Sequence, residues 1–522
     1  MTATEDVTAL SVRCATVATG DSPTGAGEAR TLLRSSALQL IAQGSGIVVL
    51  FVIITVLARR VSLAELGAYG LLAPLAGYLL ILRHMVASSA IKAMAEAPDD
   101  AERARSFSSA LFLYILAGLG TGVLVILVGG GLAEAVLDGE LERQAQQGAL
   151  GLAAVTAVGI SISVHLDALR ASRLLERSAA SEIVALTLFL ALMLSLILSD
   201  AELWMIISAN GALPFFSGFL CLLVIRRMGL PYRFRRANVS GERARALLPT
   251  AGYLLVIESA TTVIYALVRP IVGLFKSAAT VGLLEGPVRA HNLFYAYYGA
   301  MGVTLLPTVS GYRAAAEDAR LRELVLRGSR YTLALVVPAC TALMCLSDLV
   351  LEVWLGEEFG QGGTAMALII SYWLVFGSLG VHYMLLVGLG QAREVARYMA
   401  AVAVSTLVLS IALTPPLGVD GPGLAVAVSY FAAFPWVQRL VLREVDVSLG
   451  ELARTAWLPA YGLGALLAAG LVVLRGAVDL DSAGAVLGAL AAGPLLYWLA
   501  YVTLVLRPDE RALVRTVLRR GR

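Results

Sequence analysis

The chain has 522 residues, of which 58% are hydrophobic and only 15% are charged. Soluble domains carry about 25% charged residues, so this composition excludes a soluble globular enzyme and a disordered chain. Four cysteines in so long a chain exclude a disulfide scaffold. The formal net charge of +3 says less than the positions of the charges do.

Residues 1–30 are rich in Thr, Ala, Gly and Ser and lack the apolar stretch of a signal peptide, so we predict a disordered tail. Beyond them, apolar runs long enough for membrane helices recur along the chain, since about 20 apolar residues cross roughly 30 Å of hydrocarbon. We therefore predict an all-α integral membrane protein with about fourteen spans. Spans 1 to 14 are 36–58, 67–90, 107–129, 149–169, 180–198, 204–224, 247–268, 286–308, 331–350, 364–388, 399–413, 424–437, 455–474 and 484–506.

Basic residues are distributed very unevenly between the connections. If the connections alternate across a membrane, 32 of the 40 Lys and Arg residues lie on one side and six on the other. The positive-inside rule places the basic side in the cytoplasm. We predict a multi-pass protein of the cytoplasmic membrane with both termini in the cytoplasm.

The most basic connection, 225–246, contains seven arginines. Two interpretations stay open at this point. The arginines fix the topology by lying on anionic lipid, or they attract a substrate that carries a pyrophosphate.

An internal repeat links the two halves of the chain. Val164-His165 in span 4 recurs as Val381-His382 in span 10, and Gly67, which opens span 2, recurs as Gly282 before span 8. The offsets, 217 and 215 residues, are nearly equal. Because six spans separate the two units, they share one orientation, which predicts two six-helix bundles related by an axis along the membrane normal.

The predicted division of the chain follows from this repeat. An N-terminal six-helix lobe covers 31–226, and a basic cytoplasmic linker covers 227–246. A C-terminal six-helix lobe covers 247–443, and two extra helices with a basic cytoplasmic tail cover 444–522.

Arg83 in span 2 is the clearest ionisable residue at membrane depth. It lies nine residues before Lys92, about 13 Å along a helix, and ionisable groups at that depth usually face a wet cavity or a partner. His84 lies beside it on a small, polar face, and Pro74 is expected to kink the span.

Span 8 has two polar faces at helical spacing. Arg289 and Asn292 lie on one face, and His291, Tyr295 and Tyr298 lie on the neighbouring face. Tyrosines in mid-membrane need hydrogen-bond partners or water. They either stack against sugar rings or pack between helices with bonded hydroxyls, and both interpretations stay open.

Glu258 near the middle of span 7 also has two interpretations. It pairs with Arg289 or Arg83, or it carries a coupling proton. No grouping of His and Cys suggests a metal site, no motif suggests a cofactor, and nothing suggests nucleic acid as a partner.

Several short motifs resemble the polysaccharide-transporter (Wzx-type) branch of the multidrug/oligosaccharidyl-lipid/polysaccharide exporter superfamily. Val353–Phe359 resembles the family's WLG-x-x-F segment before span 10, and Gly388–Arg393 resembles its turn after span 10. Leu417–Ser429 resembles its entry to span 12, and Leu63–Gly67 fits the start of span 2.

The resemblance implies a flippase for polyprenyl-diphosphate-linked oligosaccharides, used in making surface polysaccharides such as the O-antigen of lipopolysaccharide. It implies two six-helix lobes in a V around a central cavity, with alternating access. Membrane lipids, glycosyltransferases and a polysaccharide polymerase are the further partners that it implies. The cavity candidates carried over to this chain are Arg83, His84, Glu258, Arg289 and His291.

Three rival functions stay open. A flippase for the peptidoglycan lipid precursor needs the same recognition of a diphosphate. A cation-coupled multidrug antiporter is disfavoured by the absence of an acid between residues 36 and 58. A membrane-embedded sugar polymerase, which would be an enzyme, is disfavoured by the short external connections.

Overall fold

The computed structural model describes residues 44–247, 252–480 and 482–506, with residues 508, 510 and 511. In those ranges the regular elements are helices and no strand is present. The predicted tails at 1–30 and beyond 511 lie outside the described residues.

The helices of the first half run to Gly282. They are α1 (Gly44–Ala58), α2 (Leu63–Leu79), α3 (Ile81–Ala95), α4 (Asp100–Val136), α5 (Gly139–Ile162), α6 (Val164–Ala171), α7 (Leu175–Leu198), α8 (Leu203–Ala209), α9 (Leu213–Met228), α10 (Gly241–Ala246), α11 (Gly252–Ala266), α12 (Val268–Phe275) and α13 (Ala278–Gly282).

The helices of the second half begin at Glu285. They are α14 (Glu285–Ala314), α15 (Asp318–Cys345), α16 (Ser347–Leu355), α17 (Gly363–Gly388), α18 (Ala392–Leu417), α19 (Asp420–Glu444), α20 (Leu449–Leu452), α21 (Leu458–Ala477) and α22 (Ala483–Ala500).

The length and the surface of these helices fit a membrane environment. Within the described ranges, ten helical segments are long and apolar enough to cross a membrane, and four shorter apolar helices accompany them. Helix α4 has 37 residues, about 55 Å at 1.5 Å per residue, and Leu119 on it is 57% exposed. Large apolar side chains are stable at such a surface only against lipid. The all-helical membrane fold is confirmed, whereas the number fourteen stays a prediction.

Several predicted spans differ in detail from the helices observed. Span 2 is broken at Leu80 into α2 and α3, six residues after Pro74, which itself lies inside α2. The two shortest predicted spans, 399–413 and 424–437, belong to the longer helices α18 and α19, which contain Pro415, Pro416 and Pro435. The predicted span 399–413 ended too early at its prolines, because packed membrane helices tolerate proline.

The chain forms two compact units, which meet in sequence between Glu285 and Gly286. The first unit contains α1 to α13 and the second contains the helices that follow. The lobe boundaries at residues 226 and 247 stay a prediction.

Within the first unit, α2 and α13 approach each other backbone to backbone. A Cβ atom built on Gly67 would overlap the carbonyl oxygen of Ala278, and one built on Gly282 would overlap the carbonyl oxygen of Leu63. Only glycine fits at these two positions, because any side chain would collide with the facing backbone. The two glycines of the predicted repeat therefore face each other.

Within the second unit, the two C-terminal helices are anchored on α15 and α17. The Tyr461 hydroxyl donates to the carbonyl oxygen of Leu374 at 2.5 Å, and Trp457 Nε1 donates to Ser378 Oγ at 3.2 Å. Apolar side chains of α21 and α22 join the end of α15 in one cluster. These contacts make the last two helices an integral part of the second unit.

Candidate functional site

Arg83 lies in the first turn of α3, directly after the break at Leu80, and its side chain is 12% exposed. Its Nη2 donates to Asp167 Oδ2 at 2.9 Å, and Asp167 on α6 is fully buried. The Tyr114 hydroxyl of α4 donates to the same carboxylate oxygen at 2.5 Å. The predicted buried cation therefore has a buried acidic partner 84 residues further along the chain.

A second ion pair extends this contact. Arg170 Nη1 lies 3.5 Å from Asp167 Oδ1, and Arg170 Nη2 donates to Glu182 Oε1 on α7 at 2.8 Å. Two arginines and two carboxylates thus form a network with no formal net charge. We call Arg83, Tyr114, Asp167, Arg170 and Glu182 the Arg83 cluster.

The bend between α5 and α6 places Asp167 and Arg170 in this cluster. Helix α5 ends at Ile162, and the hydroxyl of Ser163 donates to the carbonyl of Ile160 at 2.8 Å. Helix α6 then begins at Val164. Asp167 and Arg170 are three residues apart, so they lie on one helical face.

Pairing lowers the cost of keeping these charges at membrane depth. An unpaired buried charge is strongly destabilising, and removing one partner of a buried pair costs about 3–5 kcal/mol. The cluster still leaves hydrogen-bonding capacity unused: Nε of Arg83 and Nε of Arg170 are buried and have no hydrogen-bond partner among the described residues. Both arginines keep a donor for a further acceptor.

A cavity of about 300 Å³ borders the cluster. Its volume is at the lower end of the range of ligand sites, about 300–1,000 Å³. Its walls combine charged, hydroxyl-bearing and apolar side chains. They are Gly46, Leu80, Arg83, Ser163, Leu166, Arg170, Glu182, Leu186, Leu213, Pro214 and Ser217.

The other predicted site residues of the first half are placed differently. His84 is exposed, and no hydrogen bond joins it to the described part of the chain. Glu258 belongs to α11, but its side chain lies outside the described residues. Its two interpretations stay predictions.

In the second unit, His291 lies inside an aromatic cluster and is 1% exposed. Its Nδ1 lies 2.9 Å from the Tyr372 hydroxyl and accepts a hydrogen bond from Trp373 Nε1 at 3.0 Å. A ring nitrogen that accepts from an indole N–H carries no proton. The geometry is that of a satisfied packing residue.

The neighbouring tyrosines of α14 extend from this aromatic cluster. Tyr295 is 39% exposed, and its ring centroid lies 6.1 Å from that of His291 and 6.4 Å from that of Tyr298. Tyr298 packs edge-on against Phe376 at 4.9 Å, and its hydroxyl is buried without a hydrogen-bond partner in the described part of the chain. The aromatic face of α14 is therefore packed at His291 and open at Tyr295.

Arg289 and Asn292 lie on the neighbouring face of α14, Arg289 partly buried and Asn292 exposed. Arg83 and Arg289 belong to different units. Their sharing of one cavity stays a prediction.

One buried ion pair was missed from the sequence. Arg269 Nε on α12 donates to Glu285 Oε1 at 2.5 Å, and Arg269 Nη1 donates to the Tyr78 hydroxyl on α2 at 2.9 Å. Arg269 is 3% exposed and Glu285 fully buried. Arg269 lies one residue beyond the predicted end of span 7, and α12 places it in the buried part of the first unit.

No group of three or more His, Cys, Asp or Glu side chains in the described ranges has the arrangement of a metal site. What the Arg83 cluster offers instead is charge-assisted hydrogen bonding at the edge of a cavity. Guanidinium groups are suited to phosphate or carboxylate.

Known proteins are similar to this chain in sequence or in fold. A family model described as polysaccharide biosynthesis protein matches residues 32–312, more than half of the chain. A protein of Haloferax volcanii, the probable low-salt glycan biosynthesis flippase Agl15, is 23% identical over 163 residues, 31% of this chain and 34% of that protein. The chain thus matches about a third of that relative's length.

Two solved structures share the fold. The lipid II flippase MurJ in an inward closed conformation has a TM-score of 0.69 and 15% identity, covering 92% of this chain and all of that one. An inward-facing multidrug resistance MATE transporter has a TM-score of 0.66 and 13% identity, covering 78% of this chain and 99% of that one. The chain therefore belongs to the polysaccharide biosynthesis protein family.

Proposed function

We propose that this protein translocates a polyprenyl-diphosphate-linked oligosaccharide across the cytoplasmic membrane by alternating access, without covalent chemistry. The observation that carries the proposal is the Arg83 cluster at the edge of a cavity. Family membership supports it, and so does the similarity to a glycan biosynthesis flippase. The strong excess of basic residues on one side supports an orientation with both termini in the cytoplasm.

The diphosphate is the part of such a substrate that the cluster recognises. Arginine offers a planar fork whose donors match phosphate oxygens, and the buried Nε atoms of Arg83 and Arg170 are unused within the described residues. When the cavity is empty, Asp167 and Glu182 hold both guanidinium groups in place. When the diphosphate enters, its oxygens accept from the unused Nε donors. The contact between Arg83 and Asp167 then lengthens, while the Tyr114 hydroxyl still donates to Asp167.

The sugar portion needs a different surface. Exposed Tyr295 presents an aromatic face beside Asn292, and the packed rings of His291 and Tyr298 fix its position. Aromatic faces stack on the apolar faces of sugar rings, and an amide bonds their hydroxyls. We propose that Tyr295 and Asn292 contact the glycan, with His291 and Tyr298 as positioning residues.

Transport of a fluorescently labelled lipid-linked oligosaccharide in proteoliposomes tests the proposal. Arg83→Gln keeps much of the side-chain bulk and removes the charge. A charge-assisted hydrogen bond is worth about 1.5–3 kcal/mol, so we expect the flipping rate to fall roughly tenfold to a hundredfold. Arg60→Gln is the matched control, because Arg60 pairs with Asp200 in the same unit but both side chains are exposed. Undiminished flipping by Arg83→Gln at normal membrane levels would contradict the proposal.

The peptidoglycan lipid precursor carries the same polyprenyl diphosphate, so the Arg83 cluster fits it equally well. The two substrates differ only in the group beyond the diphosphate. Competition in the same proteoliposomes separates them: an oligosaccharide flippase is inhibited by unlabelled lipid-linked oligosaccharide at lower concentration than by a disaccharide-pentapeptide lipid. The reverse order would favour the peptidoglycan precursor.

A further inference from the structure

A second cavity of the first unit lies between α4, α5 and α9, at the end that leads into the basic connection. Its volume is about 730 Å³, well inside the range of ligand sites, about 300–1,000 Å³. Leu111, Ile115, Val158 and Leu222 form apolar walls. Val158 is 54% exposed, so the cavity opens on the apolar outer surface of the helices.

The rim of this cavity is cationic. Arg226 in the last turn of α9 and Arg233 in the following connection both line it, and none of its lining residues is acidic. Neither guanidinium forms an ion pair within the part of the chain that the structure describes. Two arginines without an acidic partner among the described residues thus lie at the rim of an apolar cavity.

The connection that carries Arg233 is held in place over the cavity. Gly229 has a left-handed backbone with φ of 65° and turns the chain back after α9. The Tyr232 hydroxyl then lies 2.7 Å from Ser172 Oγ, and the N–H of Arg235 donates to Ser108 Oγ at 3.3 Å. Tyr232 is buried, and burial raises the pKa of its phenol, so it stays neutral in this contact. These contacts therefore hold this part of the predicted basic linker in place over the cavity.

Aromatic rings form one side of the cavity below this segment. The Phe107 ring centroid lies 5.3 Å from that of His165 and 5.4 Å from that of Tyr232. Ile162 and His165 face this cavity, whereas Ser163 and Leu166 line the cavity of the Arg83 cluster. The bend between α5 and α6 separates the two cavities.

We propose that this cavity binds one anionic phospholipid of the surrounding leaflet, with its phosphate between Arg226 and Arg233 and an acyl chain along the apolar walls. The lipid is a resident partner rather than the transported substrate. Three observations support this assignment: the opening toward the lipid-facing surface, the separation from the Arg83 cluster, and the position of the rim next to the basic connection. Arginines beside a membrane surface attract anionic headgroups.

Native mass spectrometry of the purified full-length protein tests the proposal, with phosphatidylglycerol and phosphatidylcholine as probes. We expect one phosphatidylglycerol to bind in preference to phosphatidylcholine. Arg226→Gln/Arg233→Gln should weaken phosphatidylglycerol binding roughly tenfold or more, because both arginines attract the anionic headgroup. Arg227→Gln/Arg236→Gln is the matched control, because it removes the same charge from exposed arginines that do not line the cavity.

A second variant tests the apolar half of the site without changing any charge. Val158→Trp fills the opening and should also weaken phosphatidylglycerol binding. An equal loss of phosphatidylglycerol binding in the two double arginine variants would overturn the proposal in favour of diffuse electrostatic attraction. So would the absence of a preference for phosphatidylglycerol in the unaltered protein. Displacement of the bound lipid by undecaprenyl diphosphate at equal concentration would overturn it in favour of a substrate site.

Discussion

At the scale of single residues, the behaviour of Arg83 depends on its acidic partner. A guanidinium in mid-membrane implies a partner or water, and the structure supplies Asp167, Tyr114 and a cavity at once. The cluster holds two cations in a form that costs little when no substrate is present. It also keeps their Nε donors available for one.

Removing the carboxylate should therefore harm stability more than removing both charges. Asp167→Asn leaves Arg83 and Arg170 competing for Glu182, and we expect it to lower the free energy of unfolding by about 3–5 kcal/mol. Arg83→Met/Asp167→Asn should be less destabilising than Asp167→Asn alone. Thermal unfolding of the purified protein measures both.

Asp200→Asn serves as the control for this comparison. Asp200 pairs with Arg60 at 3.3 Å, but its side chain is 78% exposed, so its loss should change stability by about 1 kcal/mol or less. If Asp167→Asn unfolded at the same temperature as Asp200→Asn, the cluster would not stabilise the first unit.

The sequence allowed the position of Arg83 to be predicted but not its partner. An arginine nine residues before the next basic residue stands out in an apolar run. Asp167 did not stand out as its partner, because it lies 84 residues away and only the tertiary fold brings the two together. His291 shows the opposite case. Its polar helix face suggested a residue open to a cavity, but Tyr372 and Trp373 bury it and bond its ring.

At the scale of helices, the contact between α2 and α13 is sensitive to substitution. Gly67 and Gly282 bring two helix backbones together. Nearby, Arg269 on α12 bonds both Glu285 and Tyr78 of α2 and so stabilises the packing of these helices. Alternating access requires helix contacts that form and separate. A contact without side chains between the helices is suited to that, because it closes tightly and separates without disrupting a side-chain core.

A side chain at Gly67 should keep this contact open. We expect Gly67→Leu to abolish transport, because its Cβ alone would overlap the Ala278 carbonyl. Ala278 is buried in the structure, so a cysteine introduced by Ala278→Cys should become reactive toward a membrane-impermeant maleimide when Gly67→Leu is present. Labelling of Ala278→Cys with and without Gly67→Leu measures the change.

Gly77→Leu is the control, because no atom lies within 4 Å of a Cβ built on Gly77. It should leave the thiol introduced by Ala278→Cys protected. Protection that persists in the Gly67→Leu background would show that the contact is not the element that moves.

The positions of the helices could be predicted from the sequence, but the points where helices are interrupted could not. Apolar runs mark where a helix crosses the membrane, but the break at Leu80 and the short helix α12 follow from local packing that hydropathy does not record. Gly67 and Gly282 were recognised as repeat positions. Their contact with each other depends on the tertiary fold, which the sequence pattern does not show.

At the scale of the whole molecule, the distribution of charge predicts the orientation. Arginines are concentrated in the connection after α9, whereas the connection between α4 and α5 lies on the other predicted side. This asymmetry is a property of sequence alone, and it could be predicted because it depends on the lipid and the membrane potential rather than on tertiary packing.

Cysteine labelling of intact cells measures this orientation. In a background with the four native cysteines replaced by serine, Ala237→Cys should be shielded from an impermeant maleimide and Gln147→Cys should react, since both positions are exposed in the structure. Permeabilised cells provide the control for reactivity. Labelling of Ala237→Cys in intact cells would reverse the predicted topology.

We expect Arg83 and Arg170 to hold the diphosphate of a lipid-linked glycan. An experimental structure of the protein with a bound polyprenyl-diphosphate oligosaccharide tests it most directly. We expect phosphate oxygens within about 3 Å of both guanidinium groups, with the contact between Arg83 and Asp167 lengthened. A diphosphate bound elsewhere, with the Arg83–Asp167 pair intact at 2.9 Å, would contradict it.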